Sequence, residues 1–232
     1  MSNGHIAGID GDQWAQVGNV SGLRCDPPRV GGREGYKGCL ILAHGAGAPM
    51  DSDFMEGMAQ SLAEQGVGVV RFEFPYMAQR RVGGGKRPPN PQPVLLDCWR
   101  QVYAQVRPLV TGPLAIGGKS MGGRMASLLA DELGADALVC LGYPFYAVGK
   151  PDKPRVEHLA GLRTRTLIVQ GERDALGNRE AVAGYTLSPS IEICWLEAAD
   201  HDLKPLKASG FTHERHLQTA AQRVTAFLEG QG

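Results

Sequence analysis

Six short segments of the chain are rich in apolar residues, and most of them are apolar at consecutive positions rather than at every second one. They are GCLILA (38–43), VGVVRFEF (67–74), PLAIGG (113–118), ALVCLG (137–142), TLIVQG (166–171) and IEICWL (191–196). A strand with one face in solvent alternates apolar and polar residues, whereas a strand covered on both faces is apolar throughout. The six segments therefore predict the buried strands of a mostly parallel sheet.

The segments between these strands carry apolar residues at helical spacing. The predicted helices cover 52–65, 93–107, 121–133 and 213–229. Asp51 and Ser52 are good N-caps for the first helix, and Gly66 ends it. Because strand and helix alternate, the pattern predicts an α/β fold with helices on both faces of the sheet.

Three segments fit neither pattern. Residues 1–36 are expected to form antiparallel edge strands or loop, and residues 78–93, rich in Gly, Pro and Arg, are expected to form a loop. Residues 145–164 leave room for a short connection but not for a large lid. A length of 232 residues suits one domain covering 1–232.

The composition narrows the range of partners. Lys and Arg together number 24, as do Asp and Glu, so net charge gives no basis for binding nucleic acid or a membrane. The five cysteines form no C-x-x-C pair, which argues against a zinc ribbon or a disulfide framework. We expect no secretory signal, because MSNGHIAGID lacks a basic start followed by an apolar stretch, and no apolar run approaches the length of about 20 residues that a membrane span needs. We expect a cytoplasmic monomer or homodimer that acts on a small molecule.

The segment LAIGGKSMGGR permits two interpretations. A phosphate-binding P-loop needs G-x-x-x-x-G-K-[ST], but Pro113 stands where its first glycine should be, and Gly112 is one residue too early. The same residues match G-x-S-x-G from Gly118 to Gly122, after a predicted strand and before a predicted helix. That arrangement is typical of a nucleophile elbow, and it predicts Ser120 as the nucleophile.

A serine nucleophile of this kind needs an acid and then a histidine further along the chain. Asp174 follows the strand TLIVQG, with Glu172 as the alternative. His201 lies in the loop after the last strand, where flanking acids could orient it or hold it protonated, whereas His213 and His216 open the last helix and are expected to be exposed. His201 would accept the proton of the serine, and Asp174 would fix the imidazole tautomer.

The oxyanion of an acyl-transfer intermediate needs two hydrogen-bond donors. The backbone N–H of Met121, directly after the nucleophile, is the first candidate. Ala46, in the loop after the strand GCLILA, is the second, with Gly47 as the alternative. His44 is expected to brace this loop rather than to take part in catalysis.

Candidate substrate-binding residues follow other strand ends. Tyr76, Tyr143 and Phe145 are expected either to line the pocket or to pack in the core. Arg80 and Arg81 belong to the basic segment FPYMAQRRVGGGKRPP, which is either a mobile loop that recognises an anionic substrate group or a solvated loop.

Several segments together resemble one family. GAGAPMDSDFM, RFEFPYMAQRR, GGKSMGGRMASLLADELG, VCLGYPF, QGERD and ADHDLKP are similar to a compact α/β-hydrolase family from about residue 37 onward. This family includes the hydrolase-like domain of a scaffold subunit of the non-specific-lethal acetyltransferase complex. Dienelactone hydrolases resemble it in size and in lacking a lid, but they carry cysteine where this chain has Ser120. The resemblance implies Ser120, Asp174 and His201 as a triad, although Ala175 replaces the proline that often follows the acid.

The expected function is hydrolysis of small carboxylic esters, thioesters or lactones through an acyl-enzyme, with no metal and no organic cofactor. An amidase is less favoured because an amine is a poor leaving group. The alternative from a different class is a non-catalytic binding or scaffold protein on an α/β-hydrolase fold.

Overall fold

A seven-stranded sheet forms the centre of the protein in a computed structural model, which describes residues 11–30, 35–83 and 85–230. Its strands are β1 (Leu23–Asp26), β2 (Gly38–Ala43), β3 (Val67–Phe72), β4 (Leu114–Lys119), β5 (Ala137–Leu141), β6 (Thr166–Gly171) and β7 (Ile191–Leu196). The spatial order is β1-β3-β2-β4-β5-β6-β7, in which β1 runs antiparallel to β3 and the other pairs are parallel. The mostly parallel sheet predicted from the apolar segments is confirmed.

Both faces of the sheet are covered, which explains why the strands are apolar throughout. In β2, Cys39 and Ile41 pack into one cluster of buried residues, whereas Leu40 and Leu42 pack into another. Successive side chains of a strand point to opposite faces, so these clusters lie on the two sides of the sheet.

Helices supply the two covering layers. They are α1 (Gly11–Gly18), α2 (Asp53–Glu64), α3 (Pro75–Arg81), α4 (Gln92–Val106), α5 (Met121–Ser127), α6 (Ala130–Leu133), α7 (Arg179–Ala183) and α8 (His213–Glu229). Buried residues of α1, α4 and α5 belong to the first cluster, and those of α2 and α8 belong to the second. None of the described helices has the length and apolarity to cross a bilayer.

The structure differs from the sequence prediction at three helices. Helix α1 precedes β1, whereas only strands or loop were expected there. Residues 1–10, on which the expectation about a secretory signal rests, and residues 31–34 lie outside the described residues. Helix α3 occupies part of the segment predicted as loop. The helix predicted over 121–133 is interrupted after Ser127, whose hydroxyl donates to the carbonyl of Arg124 (2.7 Å). Such a bond competes with the regular helical pattern.

The connection from β5 to β6 is short and carries no lid domain. Its only regular element is a 3₁₀ helix, Glu157–Gly161, and every residue of this connection is described. The carboxyl ends of the parallel strands therefore open directly to solvent, at the edge where ligands bind in α/β sheets.

Candidate active site

Ser120 stands on a sharp turn between β4 and α5. Its φ of 50° and ψ of −115° fall in a region that side-chain-bearing residues rarely adopt. A methyl group added at Gly118 would lie 2.6 Å from the carbonyl oxygen of Ala43, and one added at Gly122 would lie 2.6 Å from that of His44. The two glycines of the motif are therefore required for the close approach of β2 to this turn.

A continuous series of hydrogen bonds links Ser120 to two residues from distant loops. His201 Nε2 lies 2.9 Å from Ser120 Oγ, and His201 Nδ1 lies 2.8 Å from Asp174 Oδ2. Asp174 is completely buried, whereas a quarter of the His201 side chain is exposed. The three residues predicted as a triad are thus brought together in the order Ser, His, Asp.

The buried carboxylate of Asp174 has further donors. Its Oδ1 accepts the backbone N–H of Leu176 (2.7 Å), and its Oδ2 accepts a second bond from Gln170 Nε2 (2.8 Å). Gln170 is itself buried and also exchanges bonds with the backbone of Tyr143, at 2.7 Å to the N–H and 3.1 Å to the carbonyl. These bonds hold the Asp174 side chain in place with Oδ2 facing His201. Sequence reasoning missed Gln170, although a glutamine in the apolar segment TLIVQG was a visible signal.

The alternative acid and the other histidines lie elsewhere. Glu172 pairs with Arg179 (2.6 Å) and accepts the N–H of Ala198 (3.1 Å). His213 Nε2 contacts the carbonyl of Asp202 (2.9 Å). His216 is buried, not exposed as expected, because its ring packs on the inner side of α8 with Nδ1 facing the carbonyl of Leu203.

Lys119, the residue before Ser120, holds the loop of His201 and was also missed. Its Nζ donates to the backbone carbonyl of His201 (2.7 Å) and pairs with Asp202 Oδ1 (3.2 Å). Burial lowers the pKa of Lys119, and the charge of Asp202 opposes that shift. Asp200 instead caps its own loop through the N–H groups of Asp202 and Lys204, so neither flanking acid bonds to the His201 ring.

The loop after β2 is fixed by side chains from the neighbouring segment. His44 Nε2 accepts the N–H of Phe74 (3.1 Å), so Nδ1 carries the proton and donates to the carbonyl of Gly45 (2.6 Å). Burial lowers the pKa of His44, which favours this neutral form. The Tyr76 hydroxyl donates to the carbonyl of Ala46 (2.9 Å). His44 therefore occupies the bracing position expected of it.

Two backbone N–H groups beside Ser120 have no acceptor among the described residues. Met121 is the first residue of α5, where an N–H has no intrahelical partner. No described group accepts the N–H of Ala46. Ala46 and Ser120 both line the two cavities described next, so the Ala46 residue lies near the serine.

Two cavities meet at Ser120. The first cavity, about 380 Å³, is lined by Gly47, Phe54, Met55, Lys119, His201 and Asp202 as well as by Ala46 and Ser120. The second cavity, about 410 Å³, extends past Leu95, Met121, Arg124, Tyr146, Arg155 and Leu176. Ser120 thus stands between two spaces, each large enough for part of a small molecule.

The remaining candidate substrate-binding residues line neither cavity. Tyr76, Tyr143 and Phe145 are buried, and the Tyr143 hydroxyl donates to the carbonyl of Arg155 (3.0 Å), so they support the site from the core. Arg81 is held by Glu73 and Asp51, each at 2.6 Å.

Arg80 also lies away from the cavities. Its guanidinium stands over the Tyr76 ring, 5.1 Å from the centroid, and bonds to the carbonyl of Arg87. Its contacts are therefore with its own segment, as are those of Arg87, which bonds to Gln79 (3.1 Å).

Comparison with known proteins assigns the family. Residues 36–229 match the model of the alpha/beta hydrolase domain family. The chain belongs to this family. No curated protein matches this alpha/beta hydrolase in sequence. The narrower resemblance to the scaffold-subunit domain stays a prediction.

Solved structures share the fold of this alpha/beta hydrolase. XC6422 from Xanthomonas campestris, an α/β serine hydrolase without lid, is 22% identical, with a TM-score of 0.63 over 87% of this chain and 88% of that one. Est1E from Butyrivibrio proteoclasticus is 16% identical, with a TM-score of 0.66 over 90% and 93%. Dienelactone hydrolase from Anabaena variabilis is 19% identical, with a TM-score of 0.64 over 95% and 94%. Identities this low support the fold alone.

Proposed function

We propose that this alpha/beta hydrolase is a serine hydrolase that cleaves small carboxylic esters, thioesters or lactones through an acyl-enzyme. The observation that carries the proposal is the series of hydrogen bonds from Ser120 through His201 to Asp174, with 2.9 Å and 2.8 Å separations. A serine hydroxyl is a weak nucleophile unless a base accepts its proton as it attacks.

The reaction follows from this arrangement. His201 Nε2 removes the proton from Ser120 while Oγ forms a bond to the substrate carbonyl carbon, and Asp174 stabilises the imidazolium. The tetrahedral intermediate collapses as His201 returns the proton to the leaving alcohol or thiol. A water molecule, deprotonated by the same imidazole, then attacks the acyl-enzyme, and the acid leaves with Ser120 reprotonated.

Charge on the carbonyl oxygen is stabilised by the N–H groups of Met121 and Ala46. Because Tyr76 and His44 hold the carbonyls of the Ala46 loop, this donor is oriented before substrate binds. Removal of one such donor typically lowers turnover about 10²–10³-fold. The two cavities beside Ser120 support small substrates with an acyl part and a leaving part.

A fluorophosphonate probe and 4-nitrophenyl butyrate test the proposal. Wild type is expected to be labelled and to hydrolyse the ester, and Ser120→Ala to do neither. Ser61→Ala is the matched control, because Ser61 lies on the outer part of α2, and it should behave as wild type. A well-folded wild type that is neither labelled nor active would favour the scaffold alternative.

A further inference from the structure

The second cavity contains two arginines and no acidic residue. Arg124 and Arg155 both line it, and its other described lining residues are apolar or neutral polar. The first cavity differs, since Asp202 accompanies Lys119 there. The cavity that leads away from Ser120 past α5 therefore has an uncompensated positive charge.

Arg124 lacks the partners that arginines of this protein usually have. Arg71 pairs with Asp26 (2.9 Å) and Arg100 with Glu132 (2.7 Å). In the described ranges, no carboxylate lies within ion-pair distance of Arg124, whose Nε is buried without a hydrogen-bond partner and whose terminal nitrogens reach only Gln92 Oε1, each at 3.4 Å. A half-buried guanidinium in this state is costly unless an anion joins it.

Arg155 adds a second charge to the same space. Its backbone is anchored, because its N–H donates to the carbonyl of Phe145 (2.6 Å) and its carbonyl accepts the Tyr143 hydroxyl (3.0 Å). Burial lowers the pKa of Arg124, and the nearby charge of Arg155 lowers it further. An anion bound between the two guanidinium groups would remove this repulsion.

The position of His201 determines which half of a substrate contacts the arginines. The leaving group must lie beside His201, which returns a proton to it, and His201 lines the first cavity but not the second. The acyl group therefore extends into the second cavity. Arg124 follows Ser120 by four residues, which places it about one helical turn from the nucleophile.

Resting on the function proposed above, we propose that Arg124 and Arg155 bind a carboxylate at the far end of the acyl group. The preferred substrates are then half-esters or half-thioesters of short dicarboxylic acids. Leu95 and Leu176 contact the methylene chain, and the guanidinium groups bind the carboxylate by charge-assisted hydrogen bonds.

The test compares two substrates that differ by one charge. Mono-4-nitrophenyl adipate carries a free carboxylate, and its methyl ester is the neutral counterpart with the same chain. Wild type should prefer the charged ester by at least about tenfold in kcat/KM, and the preference should shrink as salt is added. Arg124→Gln and Arg155→Gln should each lower the preference about tenfold.

Two controls separate charge recognition from misfolding. Arg155 is exposed, so its replacement tests the idea even where replacement of the half-buried Arg124 impairs folding. Arg163→Gln removes an arginine that is 84% exposed and pairs with Asp131, and it should leave the preference unchanged. Fluorophosphonate labelling of each variant reports an intact Ser120 site.

The outcomes distinguish this inference from the function on which it rests. Cleavage of both esters with no preference for the charged one, in wild type and variants alike, overturns the carboxylate site but leaves the hydrolase proposal standing. Cleavage of neither ester together with no labelling overturns both. A preference that disappears in Arg155→Gln and persists in Arg163→Gln supports the site.

Discussion

Replacement of Asp174 by Asn tests how the buried carboxylate acts on His201. The carboxylate accepts three bonds, from His201 Nδ1 and Gln170 Nε2 at Oδ2 and from the Leu176 N–H at Oδ1. An asparagine side chain keeps the shape but offers one oxygen and one NH₂ group. At least one donor must therefore face the new NH₂ group in either orientation.

The two orientations of the asparagine amide give the lower and upper limits of the expected loss of activity. With the amide oxygen towards His201, the NH₂ group opposes the Leu176 N–H at 2.7 Å, which costs about 1–3 kcal/mol in stability. The imidazolium then loses a charged partner, equivalent to about 10²-fold in kcat/KM. With the NH₂ group towards His201, the proton moves to Nε2 and the base cannot accept the serine proton, which lowers the rate about 10⁴-fold.

We therefore expect Asp174→Asn to lower kcat/KM for 4-nitrophenyl butyrate by about 10²–10⁴-fold, mostly through kcat. Glu172→Gln is the matched control, because Glu172 lies two residues away and bonds to Arg179 and Ala198 instead. Its activity should stay within about twofold of wild type. Retention of nearly full activity by Asp174→Asn, or a large loss in Glu172→Gln, would refute the assigned acid.

Three further predictions concern strain, positioning and pH. The free energy of unfolding, measured with urea, should be about 1 kcal/mol higher for Ser120→Gly than for Ser120→Ala, because only glycine adopts the φ of 50° without strain. Equal urea midpoints would argue against strain. Lys119→Met should lower kcat about tenfold with little change in KM, because the bond to the His201 carbonyl is lost, and a change confined to KM would contradict this role. Burial, and then the charge of Arg124, lower the pKa of His158 from 6.5 to about 4, so the unfolded chain binds this proton first as the pH falls. The stability due to neutral His158 is therefore lost as the pH falls below about 6.5. The free energy of unfolding, measured with urea, should differ between pH 7 and pH 5 by roughly 2 kcal/mol less in His158→Gln than in wild type. The same difference in both proteins would contradict the lowered pKa of His158.

The sheet could be predicted well because burial on both faces leaves a local signal. The segment GCLILA coincides with β2, and TLIVQG coincides with β6. The break after Ser127 could not be predicted from periodicity, since apolar residues continue through it. Helix α1 was missed because it has only eight residues, and Trp14 and Val17 are too few buried apolar residues to define a helical period.

The residues of the candidate site also differ in how well the sequence predicts them. The local motif predicts Ser120, and the order of residues after strand ends predicts Asp174 and His201, and the structure brings these three residues together. Lys119 was missed because its contact with His201 joins positions 82 apart in sequence. Gln170 was missed although it is only four residues from Asp174, because a polar residue in an apolar strand does not by itself indicate its partner. The anion-recognition hypothesis was attached to Arg80 and Arg81, because sequence cannot show that Arg81 is already paired with Glu73.

The most direct test of the central claim is to locate the fluorophosphonate adduct by peptide mass spectrometry. We expect one adduct per chain, on Ser120, that forms much more slowly in His201→Ala and is absent in Ser120→Ala. An adduct on another residue, or labelling of Ser120 at an unchanged rate without His201, would contradict a serine nucleophile activated by this histidine.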